Sequence, residues 1–322
     1  MFKRILVPLD GSALAESVLP VAVYFADVWK AQIILLHVIE RNAPGSIHGD
    51  RHLSRPDEAE AYLKEITRTT FPSRSDVARH VHEENVTDVA ESLVGHSEEF
   101  SPDLVLLCAH GEGSWRDWIY GNIAQQIVDL GETPVLLIKP GKSGKSENPE
   151  KPEKLEKTEK FGSPGFPFKK ILAPIDGKPE HEIGLPGAEV LAGMFGADMR
   201  LIMVVPTIST LSGSEAIMQS MFSGSTFEVL ELAQEQAVAY LGERVTQFQE
   251  KGISVSACVA RGDPRDRIIG EANRWGADLV VLGTHGKAGL RAFWSGSLAS
   301  KLLSRLSCSF LLIPASEKDQ SL

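Results

Sequence analysis

Residues 279–298 read LVVLGTHGKAGLRAFWSGSL. An apolar run, Leu279 to Leu282, stops at Gly283, and Gly286 follows. Gly296 and Ser297 come next, ahead of a helical pattern, Leu298, Leu302, Leu303, Leu306. This predicts a buried strand, a glycine turn, a loop, and a helix starting at Gly296-Ser297. Glycines at 283 and 286 allow positive φ and close approach of a ligand to the backbone. Free N–H groups at a helix start attract anions. A phosphate chain lying between turn and helix start accounts for both features. Two ordinary turn glycines and a helix cap are the plainer account of the same residues.

Working outward, the whole chain is a duplication. Residues 2–12, FKRILVPLDGS, return as 168–178, FKKILAPIDGK, an offset of 166 that also carries Val38 onto Val204. Asp103-Leu-Val-Leu-Leu returns at Asp278 with an offset of 175, so the second copy is about nine residues longer in its middle. CAHG then matches GTHG, Gly121 falls opposite Gly296, and VLLIKP at 135–140 falls opposite FLLIPA at 310–315.

Each copy alternates strand and helix. Strands are predicted near 3–9, 32–39, 77–82, 103–108 and 134–138, then near 169–175, 198–205, 253–259, 278–282 and 309–313. Helices are predicted near 13–29, 56–70, 86–99 and 121–131, then near 180–195, 225–251, 264–275 and 296–306. Short continuous apolar strands separated by helices imply parallel sheets covered on both faces. The expected fold class is therefore α/β: two tandem doubly wound domains, each a five-stranded parallel sheet flanked by helices. The expected domains are 1–140 and 168–322. Between them 141–167 reads GKSGKSENPEKPEKLEKTEKFGSPGFP, too poor in apolar residues to fold, and is expected to be a disordered linker. Its Gly144-Lys145-Ser146 lacks the glycine five residues earlier that a P-loop needs. Residues 41–55 and 207–224 are expected to be loops.

Composition excludes several classes. The chain has 322 residues and a formal net charge of −10, which argues against nucleic acid held by bulk electrostatics. No apolar run is long enough to span a membrane. The start, MFKRILVPLDGS, enters a strand pattern without a signal segment, and three scattered cysteines, Cys108, Cys258 and Cys308, suit a reducing compartment; the expected location is the cytoplasm.

Asp10 and Asp176 follow the first strands, where a ligand of such a fold lies. Each could accept from a ribose hydroxyl, hold a metal, or only cap a turn. The backbone of Pro174 and Ile175 could contact a base edge. Lys287 and Arg291 could neutralise phosphate, or be solvated loop cations. His110 and His285 occupy matching turn positions and suit a structural role. His80-x-His82 sets two imidazoles on one face of a strand, but no third or fourth ligand can be named, so a metal site is not expected there.

These residues resemble the universal stress protein family. The resemblance rests on VPLDGS and APIDGK, on HV and VV ending the second strands, and on G-x2-G-x9-G-S in the second copy. Arg261-Gly262-Asp263-Pro264 resembles the family's glycine-x-proline turn. It implies ATP as the ligand, often with a divalent cation such as Mg2+. The implied contacts in copy two are Asp176 to ribose and Val204 beside adenine. Gly283, Thr284, Gly286, Lys287, Gly296, Ser297 and Leu298 are expected around the phosphates. Copy one departs from the pattern: Cys108 and Asn122 replace the first glycine and the final serine, and Glu83 and Glu84 stand where the glycine-x-proline turn would be. The Cys108 side chain is expected to crowd the phosphate path and the two glutamates to repel phosphate, so copy one is expected to bind nucleotide weakly or not at all. The resemblance also implies pairing through the last strands, as an intrachain pseudo-dimer or a homo-oligomer, and a stress-responsive regulatory role. No general base with an orienting partner can be named, so catalysis is at most a weak ATPase activity; a scaffold with vestigial sites is the other alternative.

Overall fold

A computed structural model of the chain describes residues 2–41, 45–47, 50–109, 127, 133–139, 167–210, 226–284, 302, 303, 305, 306 and 308–314. Among these, residues up to 139 together with 309–314 make one compact unit, and residues 167–308 make a second.

In chain order, unit 1 contains β1 (Arg4–Pro8), α1 (Ala13–Glu16), α2 (Leu19–Trp29) and β2 (Gln32–Glu40). These are followed by the hairpin strands β3 (Ser46–Ile47) and β4 (Asp50–Arg51), then α3 (Pro56–Thr70), β5 (Val77–Val86), α4 (Val89–Phe100), β6 (Leu104–Cys108) and β7 (Val135–Ile138). Unit 2 contains β8 (Lys170–Pro174), a 3-10 segment (Pro179–Gly184), α5 (Leu185–Phe195), β9 (Asp198–Val205) and a short 3-10 turn (Ile208–Thr210). It continues with α6 (Thr226–Glu250), β10 (Val255–Arg261), α7 (Pro264–Trp275) and β11 (Leu279–Thr284). The last strand is β12 (Ser309–Pro314).

All ten strands expected from the apolar runs are present. The interior of β2 is buried from Ile33 to Ile39, and β6 and β7 are buried throughout, as strands covered on both faces should be. The first helix of each copy is broken where one continuous helix was expected, at Ser17–Val18 and before Leu185. Pro20 and Pro186 stand at matching positions just inside the second pieces. A proline lacks the N–H a continuing helix needs and clashes with the preceding turn, so each helix restarts there. Asp88 caps α4 by accepting from the N–H groups of Ala90 and Glu91, and Asp263 caps α7 by accepting from those of Arg265 and Asp266. The predicted helices at 121–131 and 296–306 lie largely outside the described residues.

In unit 1 the sheet order is β12-β7-β6-β1-β2-β5, and in unit 2 it is β10-β9-β8-β11. Every pairing within these runs is parallel except that of β12 with β7. The fifth strand expected for the second copy, β12, thus groups with unit 1, pairing Phe310 with Leu137 and Leu312 with Val135 in antiparallel register. Both copies pin the central strand identically. Asp103 accepts from the N–H groups of Lys3 and Arg4 at 2.7 and 3.0 Å, and Asp278 accepts from those of Lys169 and Lys170 at 2.8 and 2.9 Å.

This topology positions the sites. In unit 2 the chain runs β8, β9, β10 to one side and returns with β11 on the other side of β8. In unit 1 it runs β1, β2, β5 and returns with β6. The strand order therefore reverses beside β8 and beside β1, and in folds of this kind ligands lie past the carboxyl ends at such a point.

Candidate functional site

In unit 2, β8 ends at Pro174, and Ile175 extends the ladder by donating its N–H to the Ile202 carbonyl at 3.0 Å. Asp176 then leaves the sheet into solvent. Gly177 has φ +80°, and Asp176 Oδ1 accepts from the Lys178 N–H at 3.1 Å, closing an Asx turn. Oδ2 meets His181 Nδ1 at 2.5 Å. The carboxylate is thus held from both sides at the strand end. Each of its oxygens has a second lone pair for an incoming hydroxyl. Val204, near the end of β9, is half-buried, and its neighbour Met203 packs its methyl against Gly177, where a side-chain carbon would stand 3.0 Å away.

Gly283, near the end of β11, does not have the positive φ expected of it; it is absent from the left-handed residues of the described chain. Its missing side chain serves packing. A Cβ there would lie 2.6 Å from Ile183 Cγ1 and 3.0 Å from the His181 carbonyl oxygen. A Cβ on Gly184 would lie 2.9 Å from the Gly283 nitrogen. Two glycines therefore let the 3-10 segment lie directly on the backbone of β11, which also sets His181 beside Asp176. The backbone of Thr284 ends β11. Gly286, Lys287, Gly296, Ser297 and Leu298 lie outside the described residues.

Past β10, Gly262 donates its N–H to the Val205 carbonyl at 3.0 Å and has φ +133°. The glycine-x-proline turn thus ties the ends of β9 and β10 together and hands the chain to the Asp263 cap of α7.

Unit 1 repeats the turn and fills the space beside it. Asp10 Oδ1 accepts from the Ser12 N–H at 2.8 Å, and Gly11 has φ +89°. Within residues 41–55, expected as a surface loop, β3 pairs with β4, and Asp50 and Leu53 lie against this turn. Leu53 packs so closely that a Cβ on Gly11 would stand 2.9 Å from its side chain. Asp50 Oδ2 accepts from the Ala13 N–H at 2.9 Å, so the chain's own carboxylate occupies the start of α1. Buried His37 ties the cover down, with Nδ1 2.7 Å from the Leu9 carbonyl oxygen and Nε2 3.1 Å from that of Leu53. A neutral imidazole donates to one of the two. Burial holds His37 below the ordinary imidazole range. No sequence signal marks Asp50, Leu53 and His37 as a set, because only the path of the loop joins them.

Cys108 is the last residue of β6. Its side chain is buried, and Ser17 donates its hydroxyl to Sγ at 3.1 Å. Burial pushes the thiol up to about 12. The described residues that crowd the Asp10 turn are Asp50 and Leu53.

The Universal stress protein family model matches residues 1–139 and 167–314. This chain belongs to the universal stress protein family. Among its relatives, universal stress protein Sll1654 of Synechocystis is 27% identical over 138 residues, covering 43% of this chain and 86% of the relative. Universal stress protein MJ0531 of Methanocaldococcus jannaschii is 29% identical over 152 residues, covering 47% and 85%. These relatives have the length of one copy. Among solved structures, a functionally unknown protein from Pseudomonas aeruginosa superposes with a TM-score of 0.63 at 16% identity, covering 99% of this chain and 95% of that one. A universal stress protein from Archaeoglobus fulgidus gives 0.58 at 15% identity, covering 98% and 97%. At these identities the likeness speaks to the fold. Among the described residues, no helix is long and apolar enough to cross a membrane.

Proposed function

We propose that this universal stress protein binds ATP through its second domain, 168–322, and acts as a nucleotide-dependent regulator. The observation that carries this reading is Asp176. It is a solvent-facing carboxylate on an Asx turn at the carboxyl end of β8, beside the point where the strand order reverses, held by Lys178 N–H and His181. The G-x2-G-x9-G-S pattern of residues 283–297 leads away from the neighbouring strand and supplies the glycines a phosphate chain needs. A ribose hydroxyl would donate to Asp176, the backbone at Pro174–Ile175 and the side chain of Val204 would flank the base, and Lys287 would offset phosphate charge, with Mg2+ as the accompanying cation.

Domain 1 is read as the non-binding copy, because Leu53 and Asp50 occupy the corresponding turn and helix start. The outer edge of β7 is taken by β12 of the same chain, which supports an intrachain pairing of last strands over pairing between chains. A monomer mass by light scattering agrees with that; a stable dimer would assign the pairing role to a second surface.

The test is calorimetric titration of the purified full chain with ATP and magnesium. One site per chain, lost in Asp176→Ala and kept in Asp10→Ala, supports the proposal. Two equivalent sites, or none, overturn it.

A further inference from the structure

Two histidines of β5, His80 and His82, share one face of the strand that ends the unit 1 sheet. The fold brings His96, two turns into α4, against them. The nitrogens these three residues can offer a metal all lie within 4.8 Å of one another. His96 Nε2 stands 3.0 Å from His82 Nδ1. Two ligand atoms of a tetrahedral zinc with bonds of about 2.0–2.1 Å are roughly 3.3 Å apart, so this pair needs little movement to share an ion. His80 lies beside them, with its ring centroid 4.7 Å from that of His96.

The second nitrogen of His96 carries an independent sign. His96 Nδ1 meets Glu99 Oε2 at 3.0 Å. With its proton on Nδ1, donated to the carboxylate, the ring turns a bare Nε2 lone pair toward His82, the orientation found in carboxylate–histidine–metal arrangements. Phe100 stacks on the ring at an interplanar angle of 9° and fixes its plane. His96 is buried, while His80 and His82 are partly exposed, so the cluster is reached from solvent on the β5 side. An all-imidazole set suits zinc and its neighbours in the first transition row rather than magnesium or calcium.

We infer that His80, His82 and His96 form a three-histidine zinc-type site, with Glu99 as the residue that orients His96 and solvent in the fourth position. The site staples the edge strand β5 to α4, and all of its residues belong to unit 1.

The test uses the full chain, stripped with a chelator, freed of it, and titrated with zinc chloride in the absence of nucleotide. A parallel titration with cobalt chloride is read by visible absorption. The expected result is one zinc per chain, tetrahedral cobalt bands, and a higher melting temperature with zinc. His82→Gln, at a partly exposed position, abolishes all three while keeping the metal-free circular dichroism and melting temperature. Glu99→Gln weakens zinc about 10–100-fold and retains the site. Zinc uptake unchanged in both His82→Gln and His80→Gln, or no uptake by the unaltered chain at 100-fold excess of metal over protein, overturns the inference.

Discussion

A side-chain carbon on Gly283 would stand 2.6 Å from Ile183, whereas the matching positions of the first copy hold Cys108 and Ser17, joined sulfur to hydroxyl at 3.1 Å. The offsets are those of the duplication, 183 − 166 = 17 and 283 − 175 = 108. The second copy sets a branched aliphatic side chain against a residue with none, and the first sets two small side chains against each other. Gly283→Cys is therefore expected to lower stability by about 1–3 kcal/mol through overpacking, and Ile183→Ser in the same chain is expected to recover a large part of it. Urea unfolding of the two single variants and the double variant gives the coupling. Strictly additive losses would mean that the contact is not shared.

Asp176 is exposed, and it makes two hydrogen bonds at the surface, one from Lys178 N–H and one with His181 Nδ1. Asp176→Ala should cost about 1–2 kcal/mol of stability. The same change should weaken ATP at least about tenfold, since a charge-assisted contact contributes roughly 1.5–3 kcal/mol. Melting and calorimetry on one preparation separate the two effects. A variant that unfolds would show Asp176 to be structural.

His37 gives the first domain an acid sensitivity. Burial disfavours its imidazolium, against the opposing pull of the Leu53 and Leu9 carbonyls and of Asp10. Its folded value lies below 6.5, so below that pH the unfolded chain takes up a proton that the folded chain refuses. Its contribution is fully present above pH 6.5 and falls as pH drops, by at most about 1.4 kcal/mol per pH unit. Unfolding at pH 7.5 and 5.5 should show a smaller difference in His37→Met, which installs the residue found at position 203 of the second copy. An equal difference in both proteins would remove His37 as the cause.

Cys108 should be inert in the folded chain. Burial raises its thiol from 9.0 to about 12, so almost none is thiolate at pH 8. Iodoacetamide at that pH, mapped by mass spectrometry, is expected to miss Cys108 in the native protein and label it in urea. The alkaline sign follows from the same shift: the unfolded thiol loses its proton first, so stability falls as pH rises from 9 towards 12. Rapid native labelling would mean that the Ser17 contact opens readily.

Much of the fold was legible because its determinants are local. Apolar runs such as Ile33–Ile39 mark strands buried on both faces, Asp88 and Asp263 mark helix starts, and the repeated VPLDGS and APIDGK give the duplication and the position of Asp176. Each of these depends on residues a few positions apart, whose spacing is preserved whatever the rest of the chain does. The tertiary structure decided the relations between distant residues. It set Ile183 on Gly283, so that the missing side chain there also serves packing. It laid Leu53 and Asp50 over the Asp10 turn, and it brought His96 to His80 and His82. It also placed β12 antiparallel to β7. Such meetings depend on the packing of helices against a twisted sheet and on the path of a connecting segment. Neither is encoded in the period of any single stretch.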